Sequence, residues 1–224
     1  MAKLFSYCLL YDNGAAPNPF WDVCTLAICK PVIRRTAQLG DWIVGTGSKG
    51  YGFENMVVYA MEVTDVKTFN EYDEYCKRYL QGKIPNVEST DLKRIVGDCI
   101  YDFSADGKPS MRPGVHTEEN RDRDLGGKNV LLSTNFYYFG SKPVPLPGHL
   151  LKLVRQGQGH KSNANDAYVV SFIEWIQTFK RSHNKVVAMP YGLAALKSKE
   201  ERANCSRNNL ALAAEDEIIE ASEC

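Results

Sequence analysis

The chain has 224 residues, 44% of them hydrophobic and 24% charged, with 27 Lys and Arg against 27 Asp and Glu. That mix suits one globular domain with a sizeable core, and the zero net charge excludes a protein that coats nucleic acid through bulk positive charge. Five of the acids (Glu215, Asp216, Glu217, Glu220 and Glu223) lie in the last ten residues, so the rest carries 27 bases against 22 acids, a modest excess suited to holding one nucleotide or a few phosphates.

Seven cysteines, an odd number with no pair at C-x-x-C spacing, argue against a disulfide framework and a tetrahedral zinc site. The apolar run near the start is too short for a membrane span and lacks a signal-peptide cleavage pattern. A reducing, cytoplasmic setting is expected, with no membrane association, no cofactor and no metal.

In chain order, residues 3–11 are rich in aromatic and branched side chains and predict a strand ending at the turn Asp12-Asn13-Gly14. A proline-containing loop leads to a short strand over 24–29, a turn of helix over 32–40 and a strand over 41–46. The segment 55–65 holds Val57, Val58, Tyr59, Met61 and Val63 and gives the strongest strand signal. Residues 67–80 place Phe69, Tyr72, Tyr75, Cys76 and Tyr79 at helical spacing behind a Thr68 N-cap, with Gly82 as the stop. Strands are expected over 96–103 and 129–140, a long polar loop over 104–128, and a second helix over 165–181. Beyond Tyr191 the chain is charged and alanine-rich. The expected division is a domain over 1–190 and a partly helical, acidic, mobile tail over 191–224.

The stretch Gly45-Thr-Gly47-Ser-Lys-Gly50 matches the dinucleotide fingerprint G-x-G-x-x-G letter for letter. The mechanism of that motif needs a helix after the glycines to receive the pyrophosphate, whereas here a strand follows. A glycine-rich hairpin between strands 41–46 and 55–64 is the better reading, with Gly47 and Ser48 edging a pocket.

The order of short helix, Gly40-Asp41, strand, glycine turn, long strand and Thr-Phe helix resembles small β-barrel modules of the PUA, ASCH and EVE type. The stretches DNGAAPNPF (12–20), CTLAICKPVIRRTAQLGDWIVGTGS (24–48), VVYAMEVTDVKTFNEY (57–72) and GQGHKS (157–162) resemble the second nucleotide-modification-associated domain family. The resemblance covers residues 3–182. It implies an α+β fold, a small mixed or antiparallel PUA-like β-barrel with flanking helices. It also implies a role tied to modified nucleotides in bacterial and phage genomes, including phage-host conflict, with no assured activity.

Four groups of residues are candidates for that role. Lys30, Arg34 and Arg35 stand just before the Gly-Asp strand and are expected to grip phosphate. Arg155, Gly159, His160, Lys161 and Ser162 form a glycine-rich turn before a helix, with backbone N–H groups for an anion and His160 as a general acid or base. Asp12, Asn18 and Phe20 offer a polar reader of a base edge beside an aromatic platform, and Trp21, Trp42, Tyr51 and Phe53 add stacking surface. The loop His116 to Asp124 carries a histidine and several acids whose spacing matches no recognised site. Cys24 and Cys29 are candidate nucleophiles to pair with His160.

The leading expectation is a nucleotide- or modified-base-binding protein, with the nucleotide or modified nucleic-acid base as its partner. The alternative is an enzyme acting on a nucleotide by transfer or hydrolysis through His160. A third is an interaction protein that presents its acidic tail to another protein.

Overall fold

Alternation along the first strand sets the layering of the molecule. Phe5, Tyr7 and Leu9 of β1 (Leu4–Leu9) face one apolar cluster while Leu4 faces another, so this strand is covered on both sides. The computed structural model describes residues 2–197 except 106, 107, 156 and 158. The remaining elements are β2 (Cys24–Leu26), α1 (Pro31–Thr36), β3 (Trp42–Gly47), β4 (Met56–Glu62), β5 (Asp65–Thr68), α2 (Phe69–Tyr79), α3 (Leu92–Ile95), β6 (Tyr101–Asp102), β7 (Ser110–Met111), α4 (Arg121–Gly126), β8 (Asn129–Ser133), β9 (Phe136–Tyr138), β10 (Val144–Pro145), β11 (His160–Lys161) and α5 (Val169–Gln177).

A six-stranded mixed sheet has the order β10-β4-β3-β1-β11, with β9 sharing the outer edge of β4 with β10. β1 and β3 run parallel, Leu9 opposite Gly47, and the other pairings are antiparallel. β4 continues past Val63-Thr64 into β5, and β8 turns through Thr134-Asn135 into β9, so one bent ribbon leaves this sheet and builds a second, β2-β8-β5. Among the described residues no pairing joins the outer strands, and the expected closed barrel is not found. Its pairing capacity goes to the second sheet, and the edge strands β10 and β11 are two residues each, too short to carry closure.

Between the sheets lie Phe5, Tyr7, Ile43, Tyr59 and Met61 against Cys24, Leu26 and Leu131. Phe172 and Ile176 of α5 cover the other face of the large sheet against Leu4, Trp42 and Val44. Phe69, Tyr72 and Cys76 of α2 cover the outer face of the small one against Val130 and Leu132. The result is a mixed α+β arrangement of four layers, helix, sheet, sheet, helix.

The expected helix over 67–80 forms as α2 with its Thr68 cap, which is reciprocal: Glu71 N–H donates to Thr68 Oγ1 at 3.3 Å and Thr68 N–H to Glu71 Oε2 at 2.7 Å. Other expectations change. The strand over 96–103 shrinks to β6, the run 129–140 breaks into β8 and β9, and the helix over 165–181 is α-helical from Val169 to Gln177 after a 3₁₀ segment. The loop 104–128 contains β7 and α4. Leu193 and Leu196 are buried in the core, while the acidic tail lies outside the described residues.

Candidate active site

Cys29 lies between β2 and α1 in the stretch Ile28-Cys29-Lys30-Pro31. Cys29 and Lys30 have φ of 59° and 42°, two successive side-chain-bearing residues in the left-handed region. Such backbone costs on the order of 1 kcal/mol or more per residue and persists only where its surroundings enforce it. Pro31 fixes the first helical position, and Arg34 does the enforcing. Its Nε donates to Cys29 O at 2.7 Å, one terminal nitrogen to Asn129 O at 3.0 Å and the other to Asp124 O at 2.6 Å. Gly127 permits this, because a Cβ there would lie 2.3 Å from the guanidinium carbon.

The same tie brings α4 and the loop before it to the cysteine. His116 Nε2 is 3.5 Å from Cys29 Sγ, and His116 Nδ1 is 2.6 Å from Asp124 Oδ2. Asp124 Oδ1 accepts the Cys29 N–H at 3.1 Å, and Tyr101 donates its hydroxyl to Asp124 Oδ2 at 3.1 Å. His116 is 3% exposed and Asp124 fully buried, whereas Cys29 is half-buried. A thiol, an imidazole in contact with it and a carboxylate on the imidazole's far nitrogen therefore converge from three chain segments, the residue types and order that a nucleophile, its base and an orienting acid require.

The electrostatics follow from these contacts. Burial opposes ionisation of Cys29, but the charge and hydrogen bond of His116, helped by the Arg123 charge, outweigh it and lower the thiol below its ordinary range. Burial pushes His116 down, yet the charges of Asp124 and Cys29 raise it to about 10. Asp124 resists the upward push of burial because His116, Arg34 and the Cys29 N–H favour its anion. Both shifts run in the direction of a thiolate facing an imidazolium, the pairing that makes a cysteine nucleophilic.

The residues singled out from sequence fall in several places. Lys30 holds its ammonium 5.0 Å from the centroid of the Tyr7 ring. His160 is opposite Tyr7 in the β1–β11 pairing, its ring 6.0 Å from Phe5, and the cysteine's histidine is His116 instead. Lys30 and His160 thus both meet Tyr7, one residue along from Cys29 in the first case and one strand away in the second.

Arg34 is a correction: it is fully buried with every nitrogen on a backbone carbonyl, so it ties chain segments together where a phosphate grip was expected. Asn18 is another. It is fully buried, donating to Val96 O at 2.9 Å and accepting from Lys83 Nζ at 2.9 Å, which leaves no edge for a base. Lys83 in turn donates to Thr25, whose hydroxyl reaches Asp98.

Phe20 is 3% exposed and packs in the core, so it offers no platform. Asp12 closes its own turn by accepting the Gly14 N–H at 3.1 Å and bonds the Tyr138 hydroxyl. Lys161 donates to Lys152 O and Val154 O, which binds the chain to itself. Ser162 makes no side-chain cap to the 3₁₀ segment that follows it. Arg155 and Gly159 flank residues 156 and 158, which lie outside the described residues. Arg35 is exposed on α1.

The glycine stretch is a hairpin connection from β3 to β4 through a 3₁₀ turn, Lys49–Tyr51. Gly47 lets the chain pass, since a Cβ would lie 2.3 Å from Phe53 Cβ, and Ser48 O accepts the Phe53 N–H at 3.1 Å. Of the aromatic candidates, Trp42 is core and Tyr51 is 47% exposed, its ring 4.5 Å from Tyr191. Among the described residues no cluster of three or more His, Cys, Asp or Glu is arranged to hold a metal, and no helix is long and apolar enough to cross a membrane.

The family model described as nucleotide modification associated domain 2 matches residues 1–197. The chain belongs to that family. The match spans every element described above, so the Cys29 turn, the His116 loop and α4 all lie inside the family domain. Comparisons with curated proteins and with solved structures return no match.

Proposed function

We propose that this member of the nucleotide modification associated family is an enzyme in which Cys29 attacks an electrophilic carbon of a nucleotide or modified base. The observation that carries the reading is the 3.5 Å contact of Cys29 Sγ with an imidazole whose far nitrogen is held by a buried carboxylate. Cys29 is the nucleophile and His116 the proton donor and acceptor. Asp124, Tyr101 and Arg34 are positioning residues, and Lys30 is the cation nearest in sequence for an anionic substrate. A reducing cytoplasm suits a protein whose five described cysteines are free and whose activity depends on one of them.

Incubation of the full chain with a panel of nucleotides and modified nucleosides, read by mass spectrometry, tests the reading. Product formation lost in Cys29→Ala supports it. Return of every substrate intact, with Cys29 no more reactive to iodoacetamide than an ordinary thiol, rejects it.

A second reading, capture of a modified base without chemistry, is favoured by the aromatic group of Tyr11, Tyr51, Phe53 and Tyr191, with Tyr51 partly open to solvent. It expects retained ligand, intact, in native mass spectra, and binding weakened by Tyr51→Ala.

A further inference from the structure

We infer that the carbon attacked by Cys29 is an acyl carbon joined through an amide to the amine of a nucleobase, so that the substrate class is N-acylated nucleotides. The inference rests on the reading of Cys29 as a nucleophile toward nucleotides and is decided by where the proton donor stands.

Two kinds of cysteine attack on a nucleobase differ in where they need a proton donor: addition to a pyrimidine ring carbon and substitution at an acyl carbon. In addition to a pyrimidine ring carbon, nothing leaves the attacked carbon, and the negative charge develops across the ring on atoms remote from sulfur. A proton donor for that reaction belongs on the far side of the base. In acyl substitution, the carbon that bonds sulfur also carries the departing nitrogen, so the donor must sit beside sulfur itself. His116 Nε2 is in that place, 3.5 Å from Sγ. Its other nitrogen is committed to Asp124, which also holds the Tyr101 hydroxyl and the Cys29 N–H, so proton exchange runs through Nε2. His116 is 3% exposed, which keeps its proton from bulk water and directs it to whatever is bonded at the sulfur. The positive charges of His116 and Arg123 acting on Cys29 also suit a substrate that carries phosphate.

The reaction balances without any further reagent than water. The Cys29 thiolate forms a C–S bond to the acyl carbon and the C–N bond breaks. The electron pair of that bond stays on nitrogen, which takes the proton from His116 Nε2 and leaves as the free base amine. Water then adds to the thioester, giving its proton to His116. The C–S bond breaks, the acid departs, and thiolate and imidazolium are restored.

The test uses the full chain with N-acetylated cytidine, adenosine and guanosine monophosphates, and in parallel a fluoropyrimidine deoxynucleotide as a trap for ring addition. Acid quench and intact mass are expected to show an acetyl group on Cys29, with the free-amine nucleotide accumulating. Cys29→Ala removes both signals, and His116→Gln slows turnover on the order of a thousandfold. Prior alkylation of wild-type Cys29 with iodoacetamide gives the same loss in a chain whose fold is untouched. A stable fluoropyrimidine adduct on Cys29 with the acetylated nucleotides unchanged overturns the acyl assignment in favour of ring addition. A Cys29 that iodoacetamide alkylates readily but no acetylated nucleotide labels also overturns it, leaving the nucleophile reading standing. A Cys29 inert to iodoacetamide sinks both.

Discussion

Replacing Arg34 with Met is expected to destabilise the protein by about 2–6 kcal/mol and to blunt Cys29. Three charge-assisted hydrogen bonds to backbone carbonyls are lost, each worth roughly 1.5–3 kcal/mol when the donor is charged. Against this stands the cost of burying the guanidinium. Burial, only partly offset by Asp124, lowers the Arg34 pKa from 12.5 to about 10, about 3 kcal/mol at roughly 1.4 kcal/mol per pH unit. The difference leaves a net loss that is a large share of the roughly 5–15 kcal/mol by which a domain is stable. Urea unfolding of the full chain, followed by tryptophan fluorescence, gives the stability, and iodoacetamide alkylation in the folded baseline gives the thiol reactivity. Removing Arg34 frees the carbonyl of Cys29 and with it the left-handed turn, so alkylation at neutral pH slows along with the stability loss. A variant within about 0.5 kcal/mol of wild type and alkylating at the wild-type rate would mean that Arg34 is an ordinary surface cation, and the tie described above would be wrong.

Alkylation of wild-type Cys29 should reach half its maximum below pH 9.0, the ordinary value, because His116 favours the thiolate. In His116→Gln burial acts unopposed by that charge and the midpoint moves above 9.0; equal midpoints in mass-spectrometric rate profiles contradict the pairing. Turnover should follow a bell, rising as Cys29 ionises and falling near pH 10 as His116 loses its proton. Asp12 behaves in the opposite sense to most carboxylates. Burial raises it from 3.8 to about 7 against the pull of Tyr138 and Gly14, so its favourable contribution is full below pH 3.8 and is lost as pH rises through about 7. That loss amounts to about 4 kcal/mol, and Asp12→Asn should flatten the stability curve between those limits in urea titrations at stepped pH. Gly45→Ala places a Cβ 2.4 Å from the Tyr59 ring and should cost about 1–3 kcal/mol, read as a lowered melting temperature; an unchanged value would show that the ring has room to move.

What the sequence made legible was local. α2 announces itself through spacing and a capping pair three residues apart, and β4 through a run of branched and aromatic residues. The glycine stretch could be separated from a dinucleotide loop because the test, strand or helix after Gly50, is also local. The site was not legible for the complementary reason. His116 and Asp124 reach Cys29 across 87 and 95 residues, and only the fold chooses His116 over His160. Arg34 and Asn18 were misplaced because their neighbours, a run of cations and a pair of prolines, look like surface. Burial is decided by what packs on a residue from elsewhere, here α4 and β8 on Arg34 and the Lys83 segment on Asn18. The barrel failed at the same level, since Val63-Thr64 and Thr134-Asn135 read as ordinary strand residues and act as corners.

One carboxylate, that of Asp124, holds both the peptide N–H of Cys29 and the ring of His116. Cys29 and His116 are therefore both indexed to the same short helix, in addition to their direct contact. With Arg34 fastening the same turn to α4 and to the start of β8, thiol and imidazole share one set of anchors at the edge of the small sheet.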